Sequence, residues 1–163
     1  MSTLVVYDSV FGNTAQVAEA IAQELAASGE VTLRPVSDAR AEDLAGISLF
    51  VIGSPTRGFR PTPAIQEFLA GLPEHALAGV RAAAFDTRID LETVHPAPLR
   101  WLVDVGGYAA NVLESQLVER HCVKAADADG FVVTDAEGPL REGEVERARN
   151  WAKAVADAAM AAD

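Results

Sequence analysis

A turn rich in hydrogen-bond donors follows the first apolar segment of the chain. Its residues are Ser9, Val10, Phe11, Gly12, Asn13 and Thr14. A glycine turn that leads into a helix points unpaired backbone N–H groups at one place, where the helix dipole adds partial positive charge. The turn contains no Lys or Arg, and it lacks the lysine of a P-loop and the spaced glycines of a dinucleotide fingerprint. These features favour a single terminal phosphate held by neutral donors over a nucleoside triphosphate.

Short apolar runs alternate with segments of helical spacing along the chain. Strands are predicted at 4–7, 31–36, 49–52, 80–85 and within 122–134, and helices at 14–27, from Pro63 to Gly71, at 98–120 and at about 142–160. This alternation predicts a parallel sheet with helices on both faces, and five βα units match the strand order 2-1-3-4-5. We therefore expect an α/β protein, a three-layer αβα sandwich with a five-stranded parallel sheet, in one domain over residues 1–163.

The predicted strand order brings two segments of the chain together. Strands 1 and 3 are neighbours whose connections leave in opposite directions, so a crevice forms at their carboxyl ends. The segments that follow these strands are residues 8–13 and residues 54–62. The crevice between them is the expected ligand site.

Composition excludes several classes of function. The net charge of −11 argues against a nucleic-acid partner, because phosphate backbones are bound by clustered Lys and Arg. Cys122 is the sole cysteine, and the three histidines lack metal-ligand spacing, so no disulfide and no metal site are expected. No apolar run approaches the ~20 residues of a membrane span, and the start of the chain does not resemble a signal peptide. We expect a cytoplasmic protein without a membrane span.

The two crevice segments resemble those of a known superfamily. Residues 7–14 read Tyr-Asp-Ser-Val-Phe-Gly-Asn-Thr and resemble the phosphate-binding signature of flavodoxins. Residues 53–58 read Gly-Ser-Pro-Thr-Arg-Gly and resemble the flavin-contacting loop of flavodoxin-like NAD(P)H:quinone oxidoreductases. The order of elements is similar over nearly the whole chain. The resemblance implies the flavodoxin-like fold and flavin mononucleotide (FMN) as the cofactor.

The resemblance also implies roles for individual residues. The FMN phosphate is expected to be surrounded by the residues of the first turn, Ser9, Val10, Phe11, Gly12, Asn13 and Thr14. One side of the isoalloxazine ring is expected to contact the second loop, at Pro55, Thr56, Arg57 and Gly58. The other side of the ring, or the ribityl chain, is expected to lie near the residues after strand 4, Asp86, Thr87 and Arg88.

Three departures from the flavodoxin pattern affect this site. Phe11 stands where many flavodoxins have a hydroxyl, Arg57 stands where short-chain flavodoxins often have a stacking Trp, and the loop after strand 4 has no Tyr to cover the flavin. Arginines at 57, 60 and 88 would place positive charge near the ring and favour its reduced form. We therefore predict a reduction potential less negative than that of a low-potential carrier.

Three functions remain open from the sequence. The first is an electron carrier that serves a redox partner protein. The second is a small reductase that passes electrons from NAD(P)H to a quinone. Because the carrier is not an enzyme and the reductase is, the assignment as an enzyme stays open. The third is a scaffold that has lost FMN and acts as an interaction module. A homodimer through the small residues of the 98–120 segment, Gly106, Gly107, Ala109 and Ala110, is a further hypothesis.

Overall fold

The structure is a computed structural model that describes residues 1–89 and 108–161. Within these residues, the buried apolar runs form a six-stranded sheet. Its strands are β1 (Ser2–Tyr7), β2 (Glu30–Pro35), β3 (Leu49–Pro55), β4 (Arg81–Ile89), β5 (Val123–Lys124) and β6 (Asp129–Val133). The order β2-β1-β3-β4-β5, with every neighbouring pair parallel, confirms the predicted topology. The short strand β6 is an addition that also pairs with β4.

Helices cover both faces of the sheet. They are α1 (Asn13–Leu25), α2 (Pro63–Ala70), α3 (Ala109–Glu119) and α4 (Glu144–Ala161), with short 3-10 turns at Ala26–Ser28 and Ala41–Leu44. One core cluster joins α1 and α4 to the sheet through side chains such as Ile21 and Trp151. A second cluster joins α2 and α3 to the opposite face through side chains such as Leu69 and Leu113. The predicted three-layer αβα arrangement is therefore confirmed.

Two strands extend further towards the site than the apolar runs indicate. The predicted third strand ends at Ile52, but β3 continues to Pro55. The predicted fourth strand ends at Phe85, but β4 continues to Ile89 because its last five residues pair with β6. The sequence predicts Asp86, Thr87 and Arg88 after the fourth strand, but they belong to β4. The predicted fifth strand is split, because β5 and β6 pair with successive stretches of β4.

Only part of the long predicted helix 98–120 lies within the described residues. That part is α3, which begins at Ala109 and ends at Glu119. Ala109 and Ala110 are fully buried within the chain's own core, so they do not provide a dimer face. Gly106 and Gly107, the other two residues of the dimer hypothesis, lie outside the described residues. No helix within 1–89 or 108–161 combines the length and the apolar character needed to cross a bilayer.

A buried carboxylate ties the start of α4 to β6. Glu144 accepts hydrogen bonds from the Val132 amide at 2.7 Å and from Arg147 Nη2 at 2.8 Å. Arg147 also binds the Asp129 carboxylate, with Nη1 to Oδ2 at 2.9 Å. Burial raises the pKa of Glu144, but the hydrogen bonds and the charge of Arg147, with the bond from Val132, outweigh it and lower the pKa to about 2. This cluster anchors β6, and with it the end of β4.

The low pKa of Glu144 predicts a loss of stability in acid. A carboxyl group whose pKa is lower in the folded than in the unfolded state stabilises the protein at pH values above the unfolded pKa. This contribution is lost as the pH falls through the folded pKa. We expect the Glu144 contribution to the free energy of unfolding to fall by about 2 kcal/mol between about pH 5 and about pH 3. Urea unfolding of Glu144→Gln should show a correspondingly flatter pH dependence. The exposed Glu142→Gln is the matched control, and an unchanged slope in Glu144→Gln would contradict the assignment.

Candidate functional site

A cleft of roughly 320 Å³ opens where the carboxyl ends of β1, β3 and β4 meet. This volume is at the lower end of the range for small-molecule sites, about 300–1,000 Å³. Most of the predicted site residues line it, namely Val10, Phe11, Asn13, Thr14, Pro55, Thr56, Arg57, Gly58, Thr87 and Arg88. Ser9, Gly12 and Asp86 are not part of the lining. The cleft also contains residues that sequence reasoning missed, Ile89, Val133, Ala136 and Glu137.

Ser9 and Gly12 stabilise the backbone of the first turn. Gly12 is the N-cap of α1, with a φ of 92° that favours glycine, and no side chain caps the helix. The Ser9 hydroxyl oxygen accepts hydrogen bonds from the amides of Gly12 at 3.1 Å and Ala15 at 3.2 Å. The Ser9 hydroxyl proton therefore remains available for another acceptor.

The backbone amides of this turn form the donor set of the site. Within the described residues, the amides of Val10, Phe11, Asn13 and Thr14 donate to no protein acceptor. They lie at the amino end of a thirteen-residue helix, where the dipole favours an anion. Neutral, converging donors without a cationic side chain suit one phosphate group. This donor set therefore fits the terminal phosphate of a mononucleotide.

The side chain of Asn13 contacts the loop after β6. Gly12 holds the N-cap position of α1, and Asn13 Nδ2 donates a hydrogen bond to the Glu137 carbonyl at 3.1 Å. Gly138 permits this contact, because a Cβ there would lie 2.6 Å from Asn13 Oδ1. The loop after β6 therefore forms a third wall of the site. Gly138 and Pro139 indicate a turn in the sequence, but no local pattern predicts that this turn contacts Asn13.

The second loop is a tight turn at the edge of the cleft. The amides and carbonyls of Arg57 and Arg60 bond reciprocally, with N–O distances of 2.8 and 3.1 Å. Gly58 and Phe59 both have positive φ, 57° and 67°, as the central residues of a type I′ turn require. Glycine adopts this geometry readily, whereas a phenylalanine there is strained. The Phe59 side chain does not line the cleft.

Phe11 and Arg57 connect the first and second loops. The guanidinium carbon of Arg57 lies 5.6 Å from the centroid of the Phe11 ring, within the range of a cation–π contact. Both side chains are exposed and line the cleft. The two departures from the flavodoxin pattern are thus in contact with each other at the edge of the site.

Asp86 lies beneath the cleft and holds Arg88 in place. Its carboxylate is fully buried and binds Arg88 through Nε at 2.7 Å and Nη2 at 2.8 Å, and it accepts the Ala110 amide at 2.9 Å. Arg88 packs on Tyr108, with its guanidinium carbon 3.6 Å from the ring centroid. Burial raises the pKa of Asp86, and the hydrogen bonds and charge of Arg88 offset this only in part. This geometry gives Asp86 a positioning role, with Arg88 at the cleft surface.

Three threonines connect the walls of the cleft through two hydrogen bonds. Thr14 Oγ1 and Thr87 Oγ1 lie 2.8 Å apart in a buried hydrogen bond between α1 and β4. Thr56 Oγ1 accepts the Ala109 amide at 3.1 Å, which joins the second loop to α3. These bonds hold the first turn, the second loop and the end of β4 in one arrangement.

Residues 4–89, slightly more than half of the chain, match the family model described as a flavodoxin domain. The chain belongs to the flavodoxin family. Its cofactor is FMN, and its basic activity is electron transfer. No curated protein matches the sequence of this flavodoxin-domain chain.

Solved structures resemble this flavodoxin-domain protein along its length. A flavodoxin from the domain Archaea is 18% identical with a TM-score of 0.74, over 98% of this chain and 99% of that one. Oxidised flavodoxin 2 from Bacillus cereus is 25% identical with a TM-score of 0.72, over 96% and 99%. Rubredoxin oxygen:oxidoreductase from Desulfovibrio gigas is 17% identical with a TM-score of 0.75, over 98% of this chain but 36% of that one. The likenesses at 17% and 18% identity show the fold alone.

Proposed function

We propose that this chain is a single-domain electron carrier in which the first turn holds the FMN phosphate. The observation that carries the proposal is the set of amides from Val10, Phe11, Asn13 and Thr14 that lack a protein acceptor within the described residues. The hydroxyl proton of Ser9 would complete the donor set. Bound FMN takes up and releases electrons reversibly, and the chain anchors and orients it.

The remaining cleft residues would enclose the ring and the ribityl chain. The second loop would contribute Pro55, Thr56, Arg57 and Gly58, and β4 would contribute Thr87 and Arg88. Asp86 would act through Arg88, because its carboxylate is buried and already paired. Gly12 would act through the backbone geometry that it permits at the start of α1.

Two observations favour a carrier over a reductase. The cleft that the described residues line is small, so one mononucleotide would occupy most of it. Flavodoxin 2 from Bacillus cereus, at 25% identity, matches 96% of this chain over 99% of its own chain. The reductase remains the second candidate because Arg57 lines the cleft and is exposed, where it could meet an anionic substrate.

Absorbance and steady-state kinetics test the proposal. Purified protein, or protein mixed with FMN, is expected to show bound-flavin bands in the visible range. NADH oxidation with an added quinone should stay at the rate of free FMN for a carrier and exceed it for a reductase. A colourless protein that ignores added FMN in calorimetry would overturn the redox function and favour the interaction module.

The reduction potential is expected to depend mainly on Arg57. The sequence placed three arginines near the ring, but Arg60 does not line the cleft, and the charge of Arg88 is offset by Asp86. Positive charge near the ring favours the negative charge that FMN gains on reduction. Arg57→Gln should therefore make the potential more negative in a potentiometric titration, and Arg60→Gln is the control. Equal potentials for wild type and Arg57→Gln would contradict this assignment.

A further inference from the structure

The second loop carries an aromatic side chain in a backbone conformation that does not suit it. Phe59 has a φ of 67°, and its side chain is exposed and lies outside the cleft lining. Glycine or asparagine would occupy this position of a type I′ turn with less strain. Strained residues that persist in loops often serve a function. Neither cleft packing nor turn geometry accounts for a phenylalanine here.

Arginines flank Phe59 on a protein of opposite charge. Arg57 and Arg60 are both exposed, and within the described residues neither forms an ion pair. The net charge of the whole chain is −11. The second loop is therefore a local positive region on an acidic molecule.

The positive region is continuous with exposed apolar side chains of the first turn. Arg57 lies over the Phe11 ring, and Val10 and Phe11 are 50% and 47% exposed. Together with Phe59 and Arg60 they form a surface of aromatic, aliphatic and guanidinium groups beside the cleft, which we call the rim patch. Aromatic residues and arginine are the side chains most enriched at protein–protein contacts.

We propose that the rim patch, Val10, Phe11, Arg57, Phe59 and Arg60, docks a redox partner protein whose contact surface is apolar at its centre and acidic at its edge. Charge complementarity supports an acidic partner, because charges act over about 8–10 Å at physiological salt and the two charged side chains of the patch, Arg57 and Arg60, are both cationic and exposed. Val10, Phe11 and Arg57 lie at the edge of the cleft, and Phe59 and Arg60 lie outside its lining. The patch therefore extends beyond the space of a small anion, which suits a protein surface. This inference rests on the proposed function, since electrons would pass through the cleft that the patch borders.

Binding measurements with two redox proteins of opposite charge test the proposal. The probes are an acidic plant-type ferredoxin and the basic protein cytochrome c, each labelled and titrated with the FMN-loaded chain at physiological salt. We expect the ferredoxin to bind more tightly than cytochrome c. Arg60→Gln should weaken ferredoxin binding about three- to ten-fold, and Phe59→Gly about ten-fold or more. Arg120→Gln is the charge-matched control, because Arg120 follows α3 at the end of the sheet opposite to the cleft.

Further readouts separate docking from folding and from cofactor binding. Phe59→Gly should unfold at the same or a higher denaturant concentration than wild type, because glycine relieves the turn, and both variants should keep the visible flavin bands. Weaker ferredoxin binding with intact folding and flavin supports docking at the rim patch. Unchanged ferredoxin binding in Arg60→Gln and Phe59→Gly, or tighter binding of cytochrome c at this patch, would overturn the inference while leaving the carrier function intact. A wild-type chain without flavin bands would instead overturn the proposed function.

Discussion

Val10→Asp is expected to weaken FMN binding about 10- to 100-fold, which corresponds to about 1.4–2.8 kcal/mol. Val10 lies in the first turn and lines the cleft, and its own amide is among the donors without a protein acceptor. A carboxylate at this position would repel the phosphate, although exposure to solvent reduces the interaction. Calorimetric titration with FMN gives the dissociation constant.

Two comparisons make the Val10→Asp result specific. Riboflavin lacks the phosphate, so its affinity should be nearly the same for wild type and Val10→Asp. Val118 on α3 is the matched control position, since it is exposed to a similar extent, 56% against 50% for Val10, and lies outside the cleft. Equal losses of riboflavin and FMN affinity in Val10→Asp would show that the turn is disrupted and would argue against phosphate repulsion.

Asp86→Ala is expected to destabilise the folded protein by about 3–5 kcal/mol. The substitution leaves the Arg88 guanidinium, which is largely buried, without its carboxylate, and it leaves the Ala110 amide without an acceptor. Asp86→Asn keeps an oxygen that can accept from the Ala110 amide, so it should lose less stability than Asp86→Ala. Guanidinium or urea unfolding gives the free energies, with the exposed Asp157→Ala on α4 as the control.

A double variant distinguishes a paired charge from a packing effect at Asp86. Replacing both members of a buried pair by apolar groups is often close to neutral, whereas removing one leaves an uncompensated charge. Asp86→Ala combined with Arg88→Met should therefore be more stable than Asp86→Ala alone. If the loss of stability in the double variant equals the sum of the losses in the two single variants, the two side chains contribute independently.

Local patterns in the sequence were enough to predict the strand order and the first turn. Short apolar runs define the strands, and a glycine followed by helical spacing defines a helix start, because both signals depend on neighbouring residues. The order of the elements then placed the cleft at the carboxyl ends of β1 and β3. Residues 7–14 predict a mononucleotide phosphate site at this cleft.

The tertiary structure determined which side chains meet at the cleft. Pairing with β6 extends β4 to Ile89, and this extension buries Asp86 and places the largely buried Arg88 in the wall of the cleft. Asn13 meets a loop that lies 124 residues further along the chain. Neither contact has a local signal, because each depends on how distant strands and loops pack.

The contrast between Gly12 and Phe59 shows the same division. The sequence by itself determined that a glycine turn precedes α1, since its residue types are typical of one backbone conformation. Only the folded chain decided that Phe59 takes a positive φ and lies outside the cleft, because a reciprocal pair of hydrogen bonds between Arg57 and Arg60 imposes the turn. Interactions between neighbouring residues determine the helices, strands and turns, and packing between distant segments determines which side chains line the site.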